Sequence, residues 1–207
     1  DSVLAIIIAG SAKMWPRRAT AVAAALALGG SACSRRASAP DSFPIGLYNI
    51  SDPGPLAQLK EDGFDAFFAT PEHPEGFTAL SRSALSLGMT MIASPSSLLE
   101  GHVDPKAWPL LAWYLQDEPD VNRVSPEALR ALSVKVAAKD SRPQTFVIGS
   151  ADAAPTYASI GDALMLDWYP VPHLPLDSVA DQIDKTLEAL APGKPLWFVV
   201  QAFDWRE

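Results

Sequence analysis

The sequence predicts an α/β fold of the (β/α)8 barrel type that follows an N-terminal signal segment. The barrel is incomplete, because only seven of its eight strands are present. Seven short apolar runs alternate with helical patterns between residues 43 and 207. The runs are unbroken, which is typical of parallel strands buried on both faces. Because a complete barrel needs ~250 residues, we expect residues 43–207 to be a partial barrel that lacks the eighth strand and has an open sheet edge.

The predicted strands are apolar runs of strand length separated by turn residues and helical patterns. In chain order they cover residues 43–50, 64–69, 89–94, 110–115, 144–148, 163–168 and 196–202. Seven strand–helix units fit a barrel better than a doubly wound sheet, although periodicity alone leaves closure of the sheet open.

Helical spacing of apolar residues predicts the connections between these strands. The predicted helices cover residues 55–63, 76–87, 125–139 and 176–190. The third is the most strongly marked, because Ser125 is a good N-cap, Pro126 fits the first turn and Glu127 lies near the positive end of the helix dipole. Gly63 and Gly88 are expected to end the first two helices.

The composition is that of a globular protein with an acidic surface. Hydrophobic residues make up 48% of the chain and the net charge is −8. Such a surface repels phosphate backbones, so nucleic acid is excluded as a partner. The single cysteine, Cys33, excludes an internal disulfide. The three histidines have no paired spacing and no glycine-rich phosphate loop is present, so we expect no metal and no cofactor.

A positive segment, a short apolar stretch and a group of small residues follow one another in residues 14–33. This order is typical of a secretory signal peptide. Its end, Gly-Ser-Ala-Cys, resembles a bacterial lipobox, and the resemblance implies cleavage before Cys33 and acylation of its thiol. The alternative is ordinary cleavage near Ala39. The lipobox predicts an exported protein of the cell envelope, held by a lipid anchor in the outer membrane or at the cell surface.

The remaining N-terminal residues divide into two parts. Residues 1–13 precede Met14, the plausible start, and we expect them to be a non-native upstream segment. Residues 34–42 are rich in Ser, Ala, Arg and Pro, which predicts a flexible tether. The partial barrel then occupies residues 43–207.

Polar and aromatic side chains follow the predicted strands, where the loops of this fold share one open face. Carboxylates can bind pairs of hydroxyl groups and flat aromatic rings can pack on a sugar ring, so these side chains favour a carbohydrate ligand. The candidate binding residues are Tyr48, Asn49, Glu72, Asp117, Trp168, Tyr169 and Gln201, and the candidate catalytic residues are Glu118 and Asp167.

The segment 112–120, AWYLQDEPD, resembles the fourth strand of clan A glycoside hydrolases, which are TIM barrels. The resemblance implies that Glu118 is the general acid/base and that Asp117 occupies the position of an asparagine that binds the sugar 2-hydroxyl. The segments MLDWYPVP and PLWFVVQAF resemble the sixth and seventh strands of uncharacterised bacterial glycosidase-like barrels. The general acid must hold a proton, so Glu118 is expected to have a raised pKa.

The chain departs from this family at the nucleophile. The clan has a glutamate at the end of strand seven, and the residue that aligns with it is Gln201, whose amide cannot form a glycosyl ester. Asp167 is the first candidate for the second carboxylate, Glu207 and the missing eighth strand are the others, and the barrel could also bind glycans without cleaving them.

Three functions are therefore compatible with the sequence. The first is an exported glycoside hydrolase that acts on an extracellular or envelope polysaccharide with Glu118 as the acid. The second is a non-catalytic, glycan-binding surface lipoprotein on a degenerate hydrolase barrel. The third is a structural envelope lipoprotein with no sugar site. A second carboxylate close to Glu118 would favour the first function over the second.

Overall fold

The structure, a computed structural model, describes the backbone of residues 5–8 and residues 44–203. Within these residues the fold is α/β. The strands are β1 (Ala5–Ile8), β2 (Ile45–Ile50), β3 (Ala66–Ala69), β4 (Thr90–Ala93), β5 (Leu110–Tyr114), β6 (Gln144–Thr145), β7 (Val147–Ile148), β8 (Leu164–Trp168) and β9 (Leu196–Val200). The helices are α1 (Leu56–Glu61), α2 (Pro74–Leu87), α3 (Ser96–Glu100), α4 (Pro126–Ala137), α5 (Ala154–Tyr157) and α6 (Ser178–Ala189).

The described strands form one sheet in the order β6-β5-β4-β3-β2-β1-β9-β8-β7. Every pairing is parallel except the two that β1 makes, which confirms the predicted parallel sheet. The strand predicted over residues 144–148 is divided into β6 and β7 by Phe146 alone. β6 pairs with β5 and β7 pairs with β8, so the two ends of the sheet order are consecutive pieces of the chain.

The sheet position beside β2 and β9 is not open as the sequence predicted. β1 lies there and pairs antiparallel with both neighbours, from Ala5 opposite Leu47 and Val200 to Ile8 opposite Trp197. The unpaired N–H and C=O groups of an edge strand can form backbone hydrogen bonds with another extended segment. The segment predicted to lie upstream of the native protein supplies the strand at this position.

The four predicted helices are confirmed as α1, α2, α4 and α6. The N-cap of α4 is Ser125, whose Oγ accepts a hydrogen bond from the backbone N–H of Ala128 at 3.2 Å. Gly88 ends α2 with φ of 63°, a left-handed conformation that glycine adopts without a steric penalty. The short helices α3 and α5 have no counterpart among the predicted elements.

The two faces of the sheet belong to two separate apolar clusters, because successive side chains of a strand point to opposite faces. On one face, Phe67 and Trp113 pack with helical residues such as Leu80 and Leu129. On the other face, side chains from β3, β4, β5, β7, β8 and β9 pack against one another and no helix takes part among the buried members. These are Phe68, Ile92, Ala112, Tyr114, Val147, Met165, Trp197 and Val199, with Ala163 just before β8.

Several features predicted from the sequence lie outside the described residues. They are the signal segment 14–33 with Cys33, the tether 34–42 and Glu207. Among the described helices, none has the length and apolar character needed to cross a bilayer.

Candidate active site

The candidate active site lies at the carboxyl ends of β5 and β8. Glu118 follows β5 by four residues, Asp167 is the fourth residue of β8, and Tyr169 comes just after that strand. The short β6–β7 segment pairs with both of these strands, β6 with β5 and β7 with β8. Because these pairings are parallel, the carboxyl ends of β5 and β8 lie on the same side, and the loops that carry Glu118 and Asp167 come together there.

A small cavity of about 220 Å³ opens between these loops. Its described lining consists of Glu118, Gly149, Asp167, Trp168, Tyr169 and Leu174. The lining thus combines two carboxyl groups with two aromatic rings and one aliphatic side chain. This mixture suits a polyhydroxylated ligand that has both polar edges and apolar faces.

The backbone around Glu118 is held in an unusual conformation. Glu118 has φ of 37°, in the left-handed region that side chains other than glycine rarely adopt. Its carbonyl accepts a hydrogen bond from the N–H of Asn122 at 2.8 Å. Gly149 gives the carboxyl group room, because a Cβ at that position would lie 2.9 Å from Glu118 Oε1. The Gly149 N–H in turn donates to Asp120 Oδ1 at 3.2 Å, which links the loops after β5 and β7.

The Asp167 side chain is buried and only half satisfied. Its residue is 7% exposed, so its carboxyl group is almost fully removed from bulk water. Oδ2 accepts a hydrogen bond from the Tyr169 hydroxyl at 3.0 Å. Oδ1 is buried without a hydrogen-bond donor among the described residues. A buried acceptor without a donor costs free energy, and such groups are concentrated at functional sites.

The two carboxyl groups influence each other's protonation. Burial, followed by the negative charge of Glu118, raises the pKa of Asp167 to about 8. Burial and the charges of Asp117 and Asp120 raise the pKa of Glu118, while the Asp167 carboxyl group, within hydrogen-bonding reach, opposes that rise. Two carboxyl groups can form a hydrogen bond only when one is protonated. We infer that the pair titrates as a unit and retains a proton in the neutral range.

Two tyrosines support the acidic loop from below. Tyr114, the last residue of β5, donates its hydroxyl proton to Asp117 Oδ1 at 2.6 Å. Tyr48 stacks on Phe68 with ring centroids 4.3 Å apart. Burial and the neighbouring negative charges raise the pKa of Tyr48, and burial raises that of Tyr114. Both hydroxyl groups therefore remain protonated donors at neutral pH.

Gln201 does not reach the cavity as a free amide, because its side chain is used to hold the loop after β8. Gln201 Oε1 accepts a hydrogen bond from the Val171 N–H at 3.0 Å, and Nε2 donates to the Val171 carbonyl at 2.8 Å. Nε2 also lies 3.3 Å from the Phe203 carbonyl. The rings of Phe203 and Tyr169 pack edge to face at 5.1 Å. The end of β9 thus positions the segment that carries Tyr169.

Two other candidate residues lie apart from the cavity lining. Asn49, which has φ of 65°, accepts a hydrogen bond from the Thr70 hydroxyl at 2.7 Å. Glu72 is exposed on the loop between β3 and α2. Trp168 does line the cavity, and its indole N–H donates to Ser178 Oγ at 3.0 Å, which ties it to the start of α6.

Sequence reasoning missed three residues of this site. Gly149 is a glycine just after a predicted strand, a signal of close backbone approach that could have identified it. Leu174 lies on a proline-rich loop and gives no such signal. Tyr114 is part of the AWYLQDEPD segment, but its contact with Asp117 depends on the turn that follows β5.

The described residues offer no obvious metal site, since no group of three or more His, Cys, Asp or Glu side chains among them is arranged to hold an ion. A larger groove of about 740 Å³ lies between α2 and residues 102–104. Its described lining includes no residue of β5 or β8 and neither Glu118 nor Asp167. We therefore take the smaller cavity as the candidate site.

The chain is similar in fold to two solved glycosidase structures. A beta-glucuronidase from an uncultured Clostridium species aligns with a TM-score of 0.54 at 18% identity, over 68% of this chain and 30% of that chain. A GH2 beta-galacturonidase from Eisenbergiella tayi, bound to galacturonate, aligns with a TM-score of 0.51 at 12% identity, again over 68% and 30%. No protein-family model and no curated protein matches the chain. The likeness supports a glycoside hydrolase-like fold, and the chain spans about 30% of the length of these structures.

Proposed function

We propose that this chain is the catalytic barrel of an exported glycoside hydrolase that cleaves O-glycosidic bonds of an extracellular or envelope polysaccharide. The observation that carries the proposal is the pair of carboxyl groups, Glu118 and Asp167, in one cavity with raised pKa values. Glycoside hydrolysis needs two such groups, one to protonate the leaving oxygen and one to stabilise or attack the sugar.

The barrel itself is part of this proposal. Two observations support closure of the sheet. Its terminal strands, β6 and β7, are separated only by Phe146, and side chains from six strands pack against one another on the face away from the helices. A closed sheet has this inner core of side chains, whereas a flat sheet would need a second layer to cover it. β1 then occupies the position of the eighth strand.

In the first step Glu118 acts as the general acid. Its carboxyl group donates a proton to the glycosidic oxygen as the bond from that oxygen to the anomeric carbon breaks. The Asp167 carboxylate attacks the anomeric carbon and forms a glycosyl ester. In the second step the Glu118 carboxylate takes a proton from water, which attacks the same carbon and releases Asp167.

This mechanism retains the anomeric configuration, and the geometry favours it. The two carboxyl groups line one small cavity of about 220 Å³ and the charge of Glu118 raises the pKa of Asp167, which favours the close spacing of retaining enzymes over the ~6.5–9.5 Å that leaves room for a water in inverting enzymes. A single shared proton is also what the first step requires. Glu118 must hold it to act as an acid and Asp167 must lack it to act as a nucleophile, so the bound sugar must shift the proton to Glu118 from Asp167, whose pKa in the free chain is raised to about 8.

The test is Glu118→Gln with leaving groups of different acidity. We expect turnover of a glycoside with a poor leaving group to fall by roughly 10²–10⁴-fold. Formation of the glycosyl ester from a dinitrophenyl glycoside, which needs no proton, should change far less and appear as a burst. Glu188→Gln, an exposed position in the last turn of α6, is the matched control and should keep full activity. Equal activity of the two variants would remove Glu118 as the acid.

The alternative is a non-catalytic glycan-binding lipoprotein. Gln201 favours it, because the residue aligned with the family nucleophile is an amide that already binds the Val171 backbone. In that case the unchanged chain binds glycans in a calorimetric titration but hydrolyses none of them, and Asp167→Asn weakens binding without any activity to lose.

We also propose that the protein is exported and anchored by a lipid on Cys33. The signal-like order of residues 14–33 supports this proposal. Cys33→Ser in the native host should move the protein from the membrane fraction to the soluble fraction. A protein that stays in the membrane fraction after this change would contradict acylation at Cys33.

A further inference from the structure

The charges around the candidate cavity are all of one sign. Glu118 and Asp167 line it, and Asp117 and Asp120 lie close enough to act on the protonation of Glu118. No lysine or arginine is among the described residues that line the cavity. Even with one proton shared between the two lining carboxyl groups, the surroundings carry a net negative charge.

Two cations, one on α6 and one on α4, are engaged with other side chains. Lys185 forms an ion pair with Asp152. Arg130 donates to Ser159 Oγ at 3.2 Å. The described lining of the cavity therefore offers no guanidinium or ammonium group that could bind the carboxylate of a uronic acid.

A second observation, an acceptor oxygen of Asp167 that the described residues leave without a donor, indicates which chemical group of a ligand would fit this cavity. Asp167 lines the cavity and is 7% exposed, and its Oδ1 has no hydrogen-bond donor among the described residues. A ligand that brings a positively charged donor satisfies this acceptor and offsets the acidic charge. A ligand carboxylate does neither, because it is itself an acceptor with a negative charge.

We propose that the sugar bound in this cavity is cationic, an amino sugar with a free ammonium group, rather than a uronic acid. The two solved structures of similar fold carry names that refer to glucuronide and galacturonide substrates. The inference rests on the proposed function and deepens it by naming the charge class of the substrate. The cavity, at about 220 Å³, has the size of a single sugar unit, so one ring carries the discrimination.

The test compares three ligands that differ in charge. The affinity of the full chain for the methyl glycosides of glucosamine, glucose and glucuronic acid, both anomers of each, is measured by titration at pH 7 and low salt. We expect the glucosaminide to bind at least about tenfold more tightly than the glucuronide, with the glucoside between them. The difference should shrink at high salt, because screening weakens interactions between charges.

Variants then locate the discrimination. Asp167→Asn should remove most of the preference for the ammonium group, and Asp117→Asn, at an exposed carboxylate, should remove part of it. Asp184→Asn, an exposed carboxylate on α6, is the control and should leave the preference unchanged. Equal or tighter binding of the glucuronide, or a preference that survives in Asp167→Asn, overturns the inference.

The outcomes also separate the inference from the proposed function. If a neutral aryl glycoside is hydrolysed with dependence on Glu118 but the glucosaminide is not preferred, only the inference fails. If no glycoside of any charge is bound or hydrolysed, the proposed function fails and the inference falls with it.

Discussion

Charged side chains have different surroundings at the two ends of the sheet. At the amino ends of the strands, charged groups are paired. Arg142 binds Asp140, donates to the carbonyls of Trp108 and Pro105 at 2.9 Å, and lies 5.7 Å from the Trp113 ring centroid. These contacts stabilise both charges of the pair in the folded chain.

At the carboxyl ends of β5 and β8, the two carboxyl groups that line the cavity have no ion-pair partner among the described residues. Asp167 has one oxygen without a donor, and Glu118 faces it from a strained backbone position with more carboxylates nearby. Carboxyl groups that are crowded and buried destabilise the fold, since their pKa values are raised. The paired charges at the amino end stabilise the fold, whereas the crowded carboxyl groups of Glu118 and Asp167 at the carboxyl end do not. We therefore expect those carboxyl groups to contribute to ligand binding or catalysis rather than to stability.

The largest expected effect is loss of stability at the amino end. Arg142→Ala removes the guanidinium group from Asp140 and from two carbonyls, and leaves Asp140 with the backbone N–H of residue 142 as its donor, so the free energy of unfolding should fall by about 3 kcal/mol. Turnover per folded molecule should not change. Urea unfolding and activity measured on the same samples check both statements. Arg82→Ala, at an exposed residue of α2, is the control, and an equal loss in both variants would contradict the role of Arg142.

Removing the charge of Asp167 at the carboxyl end should instead raise the free energy of unfolding. Asp167 has its pKa raised from 3.8 to about 8, so the folded state holds more protons than the unfolded state between these values. Stability therefore falls as the pH rises through this window. Asp167→Asn should abolish turnover yet gain on the order of 2 kcal/mol of stability at pH 8.5 and little at pH 4. A variant less stable than the unchanged chain at pH 8.5 would show that this carboxyl group stabilises the fold.

The smallest expected effect concerns Gln201. Gln201→Glu removes the donor to the Val171 and Phe203 carbonyls and sets a carboxylate against them. The free energy of unfolding should fall by about 1 kcal/mol, and turnover should not rise. Gln201→Ala should be milder, because it removes the hydrogen bonds without adding a charge. A gain of turnover in Gln201→Glu would show instead that position 201 supplies the nucleophile.

Local patterns in the sequence were enough to predict the sheet and its main helices. The strands read as apolar runs and α4 has its cap, Ser125, in the expected place. α3 was missed because its five residues, Ser96–Glu100, are too few to show a helical period. The division of the strand at Phe146 and the pairing of β1 were missed because both depend on sheet order, which local patterns do not encode.

The site was less accessible to prediction, because its geometry comes from contacts between distant segments. The motif after β5 pointed to Glu118, and the end of β8 pointed to Asp167, but it is the pairing of β6 with β5 and of β7 with β8 that brings them together. Glu72 was selected because it follows a strand, and it lies exposed on its loop. The hydrogen bonds of Gln201 to Val171 could not be foreseen, since the two residues are 30 positions apart.

The left-handed backbone of Glu118 has a consequence for anyone who selects variants of this chain for heat resistance. Glycine or asparagine would relax that turn, and an amide at position 167 would relieve the buried carboxyl group. A screen that rewards only survival at high temperature would therefore collect substitutions at the two positions proposed to do the chemistry. Selection for stability should therefore be combined with a screen for activity, because selection for stability alone would yield stable but inactive variants.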